Sequence, residues 1–450
     1  MNTITTRRTA IATLVAASLF AGGSANAANW LKLQGTQEAH KAERAHLWGF
    51  IQPEYEYTDD TNLAAGPWQG QDAAFNQIPP DLDSSSTFQI RRARIGVRGT
   101  PIPKNKKVNY FFLAEFGNNG ITNSDGDDGP ARISDASITL NYIPGARVRV
   151  GQFKYPGSEE GWQAIMVHNY INFTQVTNQL NLERFFDEDG SDPLDANPRN
   201  GPVNAFRDIG VQVFDWFEMG DWEHSYAAML GNGNGITRSD NNDDKDLYLY
   251  WSSAKVFGGK RGRRQDWKLF AWANTGDRTI EVAQGTAGEG DDVEKTFDRD
   301  RWGIGTTYRK GKWRGKAEYI KADGMIFAGT DGGAVPGSFS NDGSRIASFN
   351  VLPEEEADGW YVDVGYRVLP DLELDVRYDI LNRATESDTN ERQFETWTLG
   401  FQYFFNKKTR FTFNYEFRDA EAPELPGSAP PNQILDGFDD RVSANVFMFF

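Results

Sequence analysis

The sequence predicts an all-β fold, namely a sixteen-stranded antiparallel transmembrane β-barrel. Three observations support it: apolar and polar residues alternate along most of the chain, about sixteen segments show this alternation, and their connections are short and long in turn. An even number of strands brings both ends of a single-chain bacterial barrel to the same side of the membrane. A β-sandwich is not expected to keep such a rhythm for so long.

The candidate strands cover nearly all of the chain after residue 45. Long, acidic segments rich in Gly and Asp, such as 58–86, 276–298 and 323–357, alternate with short turns, as loops and turns do in a barrel. No linker or change of composition indicates a second domain, so the barrel is predicted over 46–450. The strands are predicted at 47–57, 88–99, 107–117, 132–142, 146–154, 206–217, 222–231, 245–257, 266–275, 300–309, 312–322, 359–368, 371–381, 394–405, 409–418 and 441–450.

Segment 371–381 shows how the two faces of a strand separate. One face carries Leu372, Leu374, Val376 and Tyr378, and the other carries Glu373, Asp375, Arg377 and Asp379. A charge facing lipid at the bilayer centre costs about 2–4 kcal/mol. The apolar face is therefore expected to meet lipid, and the charged face is expected to line the lumen.

The N-terminal region reads as an export signal. A basic start, an apolar run over 10–23 and an A-x-A motif at 25–27 predict a cleaved signal peptide over 1–27. Residues 28–45 are polar and are expected to form a short N-terminal periplasmic segment. No later apolar stretch reaches the ~18–20 residues that a spanning helix needs.

Composition limits the possible functions. The 450-residue chain has no cysteine, which excludes disulfides, thiolate metal sites and cysteine nucleophiles. Its net charge is -17, so a nucleic-acid partner is not expected. The acidic clusters in the expected loops have two explanations, which are solvation of long loops and bridging to calcium or lipopolysaccharide at the cell surface.

Residues for catalysis are few, and the sequence predicts neither an enzyme nor a cofactor. No histidine stands in a metal-binding spacing, and no phosphate-binding loop is present. His224 and Ser225 are adjacent in one strand and should face opposite sides. The chain has four histidines: His40, His46, His168 and His224.

Arginines concentrate on the expected inward faces of two strands. Rings of cationic side chains are a common device for anion selection, and planar guanidiniums suit phosphate or carboxylate. The alternative is that these arginines pair with inward acids and only hold the lumen together. The cations are Arg92, Arg94, Arg98, Arg147 and Arg149, and the candidate acids are Glu54, Glu56, Glu115 and Asp135.

The last strand ends on Phe450, and this terminal aromatic residue resembles the C-terminal signature of bacterial outer-membrane barrels. Further segments, in order, resemble the phosphate-selective porin O and P family: FQIRRARIGVRG at 88–99, VRVGQFKYP at 148–156 followed by EEG at 159–161, RDIGVQVF at 207–214, LGNGNG at 230–235, AEYIKADG at 317–324 and GWYVDVGYRV at 359–368. The resemblance implies a homotrimer and an inward-folded third extracellular loop, which would be the constriction loop at 155–205.

The same resemblance implies roles for particular cations. Arg91, Arg92 and Arg94 match the strand that supplies constriction arginines, and Lys154 matches the lysine before the inward loop. Arg184, in NLERFF, matches an arginine of that loop. The complete set of expected pore-lining or anion-binding residues is Arg91, Arg92, Arg94, Arg98, Arg147, Arg149, Lys154 and Arg184.

These observations together predict a porin of the bacterial cell outer membrane. It would be a passive diffusion channel for small hydrophilic solutes that favours anions such as phosphate, and its other partners would be outer-membrane lipid and lipopolysaccharide. One alternative is a general or cation-favouring porin, in which the inward acids dominate. Another is an outer-membrane barrel enzyme, which needs a lumen-facing histidine near a serine or carboxylate.

Overall fold

The structure is a computed structural model, and it describes most of the predicted barrel. The predicted signal peptide, 1–27, lies outside the described residues, as does nearly all of 28–45. Among the described residues, no helix has the length and apolar composition needed to cross a bilayer. The described residues are 31, 44–118, 122, 131–200, 203–258, 264–283 and 293–450.

Sixteen antiparallel strands form a closed barrel, and all sixteen predicted strands are present. Neighbours in sequence pair with one another, and the barrel closes where the last strand pairs with the first, from Phe50 opposite Phe449 to Thr58 opposite Arg441. The barrel strands are β1 (His46–Thr58), β2 (Ser86–Gly99), β3 (Val108–Glu115), β4 (Arg132–Ile143), β5 (Ala146–Lys154), β6 (Arg207–Met219), β7 (Trp222–Gly231), β8 (Asp246–Gly258), β9 (Gln265–Val282), β10 (Val293–Lys310), β11 (Trp313–Asp323), β14 (Glu356–Leu369), β15 (Leu372–Arg383), β16 (Arg392–Phe404), β17 (Thr409–Glu421) and β18 (Arg441–Phe449).

Two strands outside the barrel form a small hairpin in the sixth loop, 324–355. They are β12 (Ile326–Thr330) and β13 (Phe349–Leu352), and the sequence prediction missed them. Short helical segments occupy the loops: α1 (Glu159–Trp162) and α2 (Pro430–Leu435), 3-10 turns at Ala74–Asn76, Ile165–Val167 and Asp331–Gly333, and a π-helical turn at Thr177–Asn181.

The predicted long loop at 276–298 is wrong in its extent, because β9 and β10 continue far into it. Val282 still pairs with Val293, and the hydroxyl groups of Thr279 and Thr296 are 2.9 Å apart across the two strands. Hydroxyl pairs of this kind stabilise neighbouring strands. The acidic composition of the segment concealed this alternation.

The barrel has two different ends. At the turn end, strands are joined by short connections such as 144–145 and 220–221, and this end also holds the first residue of β1 and the last of β18. At the loop end, long connections pack on one another. Trp68 of the first loop, 59–85, is fully buried, and its indole Nε1 donates to the carbonyl oxygen of Ser338 in the sixth loop, at 2.9 Å.

The predicted separation of faces is found along β15. Leu374 and Val376 are 47% and 42% exposed on the outside, whereas Glu373 and Asp375 are buried inside. The barrel therefore turns its apolar face outward and its charged face inward, which is the arrangement that a lipid environment requires.

Outward aromatic rings form a girdle near the loop end. Ring centroids are 5.6 Å apart for Trp302 and Tyr319, and 4.7 Å apart for Tyr378 and Trp397. Aromatic belts of this kind mark the level of the membrane interface. The girdle crosses neighbouring strands through Trp302, Tyr319, Trp360, Tyr378, Trp397 and Phe417.

The C-terminal phenylalanine packs where the barrel closes. A Cβ atom on Gly49 would lie 2.5 Å from the Phe450 ring and 2.6 Å from the carbonyl oxygen of Arg94. We therefore expect Gly49→Ala to displace this ring and to lower the free energy of unfolding by about 1–3 kcal/mol. Urea unfolding of the detergent-solubilised protein measures this, and Gly427→Ala, where the added Cβ meets nothing within 4 Å, serves as the control. Equal unfolding free energies for the two variants would contradict the expectation.

Candidate pore and constriction

The third loop, 155–206, joins β5 to β6 and contacts inward side chains on the opposite wall. The backbone N–H of Ile171 donates to Asn414 Oδ1 of β17 at 2.8 Å. The amide of Asn172 donates to Ser443 Oγ of β18 at 3.0 Å. These contacts carry part of the loop across the inside of the barrel.

The start of the third loop is held by the carboxylate of Glu318, which is a buried inward residue of β11. Its oxygens accept hydrogen bonds from Ser158 Oγ at 3.1 Å and from the backbone N–H of Glu159 at 3.2 Å. They also accept from Trp272 Nε1 at 2.7 Å and from the Tyr361 hydroxyl at 2.6 Å. One acceptor group thus joins the loop to three strands.

A second anchor is the guanidinium of Arg377 in β15, whose side chain is 1% exposed. It donates to the carbonyl oxygen of Asn172 at 2.9 Å and lies 3.3 Å from Glu160, so it binds the third loop twice. It also lies 3.3 Å from Glu416 and 3.7 Å from Asp379 on the wall. This arginine compensates several buried carboxylates at once.

Apolar contacts complete the attachment of the loop. Trp162 is almost fully buried, and its ring meets Tyr250 of β8 edge-on at 4.5 Å. Val176 and Leu180 join the same cluster, together with Trp272 of β9. On this side of the lumen the loop packs against the wall like a protein core, so the open space must lie elsewhere.

Lys154 stands at the end of β5, where the third loop begins. Its Nζ donates to the carbonyl oxygens of Gly161 at 2.7 Å and of Gln163 at 3.0 Å, and the side chain is half-buried. No carboxylate oxygen of the described residues lies within 4.0 Å of this ammonium. Lys154 therefore shapes the start of the loop through these two hydrogen bonds.

Arg92 and Arg149 are also bonded to neutral acceptors. Arg92 donates to Gln52 Oε1 at 3.0 Å. Arg149 donates to Thr139 Oγ1 at 3.4 Å and to the carbonyl oxygen of the buried Leu31 at 3.3 Å. Within the described part of the chain, neither guanidinium has a carboxylate within 4.0 Å.

Three other predicted site residues are paired with acids; the partners of Arg91 and Arg94 are among the candidate acids, whereas the partner of Arg147 is not. The three distances are each 2.6 Å, for Arg91 with Glu54, Arg94 with Glu115 and Arg147 with Asp215. Their charges are largely compensated at the wall. The arginines that were grouped in the sequence thus divide into paired and unpaired members.

The last two predicted residues lie away from Lys154. Arg98 is near the turn end of β2, with its guanidinium 5.8 Å from the ring of Phe111. Arg184 is in the second half of the third loop, where it donates to the carbonyl oxygens of Asn178 and Leu182 at 3.0 and 3.1 Å. The structure does not bring these two arginines to the start of the loop.

His168 of the third loop lies among cations. Burial lowers the pKa of His168 well below its ordinary value, and the nearby charges of Lys316, Lys154, Arg92 and Arg410 lower it further. The imidazole is therefore neutral at neutral pH. These four cations come from four different strands, β11, β5, β2 and β17, and they surround this point of the loop.

Inward acids form a separate cluster that the sequence reasoning did not assign to a site. Arg314 of β11 forms ion pairs with Asp363, Glu373 and Asp375. Its Nε atom lies 2.7 Å from Glu373 Oε1. Alternation alone predicted that Glu373 and Asp375 face inward. Identifying Arg314 as their common partner requires knowledge of the strand register.

His224 and Ser225 do not form a catalytic pair. Ser225 is buried on the inward face, while His224 stacks on Phe217 at 5.2 Å and contacts Trp251 on the other face of the sheet. The imidazole Nδ1 is 2.9 Å from Ser253 Oγ. The expected opposite orientation of these neighbours is therefore observed.

Comparison with known proteins agrees with this architecture. The family model described as Gram-negative porin matches residues 12–423. No curated protein matches the chain significantly. Among solved structures, a loop-deletion mutant of OmpT, an outer membrane protein of Vibrio cholerae, is 12% identical and covers 90% of this chain and 99% of its own, with a TM-score of 0.52.

Two further solved structures are similar in fold. The trimer form of Vibrio cholerae OmpT is 12% identical, with coverage of 90% of this chain and 99% of its own and a TM-score of 0.50. OprB of Pseudomonas putida is 10% identical, with coverage of 90% and 94% and a TM-score of 0.50. The predicted outer-membrane porin is thus confirmed at the level of the family. With a match over most of its length, this chain belongs to the Gram-negative porin family.

Proposed function

We propose that this porin is a passive channel for small hydrophilic solutes that favours anions such as phosphate. The observation that carries the proposal is that two cations, Lys154 where the third loop begins and Arg92 on β2, donate to neutral acceptors and have no carboxylate within 4.0 Å among the described residues. In a narrow aqueous passage, such groups replace part of the hydration shell of an anion. Phosphate is well suited, because a guanidinium can bind two of its oxygens at once.

The third loop is proposed to form the constriction, as expected for 155–205. Its anchors at Glu318 and Arg377 support a fixed position, and its apolar packing on Tyr250 fills one side of the lumen. Solutes would then pass on the side of Lys154. No covalent step or cofactor is needed.

A homotrimer, removal of residues 1–27 and contacts with lipid and lipopolysaccharide are part of the same proposal. The outward faces of β4 to β6 support the trimer, because they carry exposed aliphatic side chains such as Ile138, Val150 and Val211 in place of girdle aromatics. The trimer form of the similar Vibrio cholerae protein agrees with this assembly.

The test is the zero-current potential of the purified protein in a planar bilayer under a KCl gradient, followed by titration of the current with phosphate. We expect anion preference and block by phosphate. Both should weaken in Lys154→Ala and Arg92→Ala, because each variant removes a cationic side chain that has no carboxylate within 4.0 Å among the described residues.

The control is Lys104→Ala, which removes an equal charge from an exposed turn. Cation preference without phosphate block would overturn the proposal and favour a cation-selective porin in which the inward acids, such as Asp363, set the selectivity. An unchanged potential in both constriction variants would exclude these two cations as the cause.

A further inference from the structure

A separate cavity lies on the loop side of the third loop. It has a volume of about 210 Å³ and is lined in part by the second half of that loop, by β9 and β10 and by the hairpin strand β12. Neither Lys154 nor Arg92 lines it. This cavity is therefore distinct from the proposed constriction.

One wall of the cavity is aromatic. The rings of Phe186 and Phe327 are almost parallel, with an interplanar angle of 2° and centroids 5.9 Å apart, and Phe349 packs behind them at 5.5 Å from Phe186. Phe185 lines another part of the cavity, and the guanidinium of Arg238 lies 4.7 Å from the centroid of its ring. Flat apolar surfaces of this kind attract rings and not small hydrated ions.

Arg184 supplies a cation beside this wall. Its guanidinium lies 4.4 Å from the centroid of the Phe327 ring and donates to oxygens of Asn178 and Leu182. Among the residues that the structure describes, no carboxylate lies within 4.0 Å of it. A half-buried planar cation is thus held against an aromatic ring with its charge uncompensated.

The acids of the cavity do not cancel this charge. Glu183 is bound by Arg278 at 2.5 Å and by Arg299 at 3.2 Å. Arg301 donates to main-chain oxygens, including those of Leu180 at 2.8 Å and Met325 at 2.9 Å. The remaining acids that line the cavity, Asp187, Glu281 and Glu294, are exposed at its rim.

We infer that this cavity binds an aromatic monocarboxylate. The ligand carboxylate would accept two hydrogen bonds from Arg184, and the ring would lie against Phe186 and Phe327. A phosphate ion would bind the arginine but would make no favourable contact with the aromatic wall. The inference goes beyond the proposed function, because it concerns a second site whose binding can be measured without any current.

The experiment is isothermal titration of the full-length mature protein in detergent with benzoate, acetate, benzyl alcohol and inorganic phosphate. We expect saturable binding of benzoate, and weaker binding of each of the other three. Arg184→Gln should raise the dissociation constant for benzoate by about tenfold or more, since it removes a charge-assisted pair. Phe327→Leu should also weaken the binding of benzoate, and it should leave the weak binding of acetate unchanged.

The control is Lys104→Gln, which removes a distant charge and should bind benzoate like the wild type. Heat-modifiable electrophoretic mobility verifies that every variant is folded. Absence of saturable benzoate binding to the wild type would overturn the inference, and so would equal affinity for phosphate or an unchanged affinity in folded Arg184→Gln.

The zero-current potential of the same preparation separates the two proposals. Benzoate binding in a channel that prefers cations would refute the anion-favouring pore and support the cavity. Anion preference without benzoate binding would refute the cavity and leave the proposed function intact.

Discussion

Replacing Arg377 with methionine is expected to destabilise the barrel by about 3–5 kcal/mol, because removal of one partner leaves buried carboxylates without a counter-charge. Glu160, Asp379 and Glu416 all lie within 4.0 Å of this guanidinium, and all are buried. Among the described residues, only Glu416 keeps another cationic partner, which is Arg441, whereas Glu160 and Asp379 keep hydrogen bonds from neutral donors of the third loop. The substitution also removes both contacts of Arg377 with the third loop.

The measurement is equilibrium unfolding in guanidinium chloride, monitored by tryptophan fluorescence, together with the single-channel conductance. The conductance should rise and become noisier, because the loop loses an anchor. The control is Lys255→Met, since Lys255 and Asp221 form an exposed pair 3.9 Å apart, and exposed pairs contribute about 0–1 kcal/mol. A loss of stability in Arg377→Met that is no greater than in this control would refute the assigned role.

Replacing Glu318 with alanine is expected to release the start of the third loop. Four buried donors would lose their acceptor, and each unsatisfied buried group costs about 1–3 kcal/mol. Water can reach part of the site once the loop moves, so we expect a net loss of about 2–4 kcal/mol. The four donors are Ser158 Oγ, the backbone N–H of Glu159, Trp272 Nε1 and the Tyr361 hydroxyl.

The readout for Glu318→Ala is the open-channel current, which should increase, together with faster cleavage within 155–206 by an added protease. Glu318→Gln is the informative partner variant, because its amide oxygen keeps one acceptor and should retain part of the loop order. A current identical to that of the wild type in both variants would show that Glu318 does not hold the loop.

Much of the fold was predictable, because the lipid environment imposes one simple rule on every strand. Alternation placed all sixteen barrel strands and assigned the faces of β15 correctly. It failed at β9 and β10, where the strands continue beyond the aromatic girdle and charged residues occupy both faces. It also missed the hairpin of β12 and β13, whose partners are loop residues.

The candidate site was predictable only in part. Composition identified the arginines, but whether a given arginine is paired depends on the register, as the contact of Arg94 with Glu115 shows. Predicting that Glu318 and Arg377 hold the third loop would require knowing which loop residue contacts each position of the barrel wall. No local pattern in the sequence carries that information.

A β-bulge in β2 changes the phase of its alternation. The register shifts between Gln52 and Pro53 of β1, and Arg91 is the extra residue opposite this step. On the N-terminal side of the bulge, the outward residues of β2 are even-numbered, such as Phe88 and Ile90. On its C-terminal side the outward residues are odd-numbered, such as Ile95.

The strand can therefore place Arg91 and Arg92 side by side in the lumen, which uninterrupted alternation forbids. A similar shift in β4 brings Ser134 and Asp135 inward together, close to the same part of the pore. Two local insertions thus each add an inward side chain to the wall, so a one-residue deletion at either position would change which side chains face the lumen while leaving the number of strands unchanged.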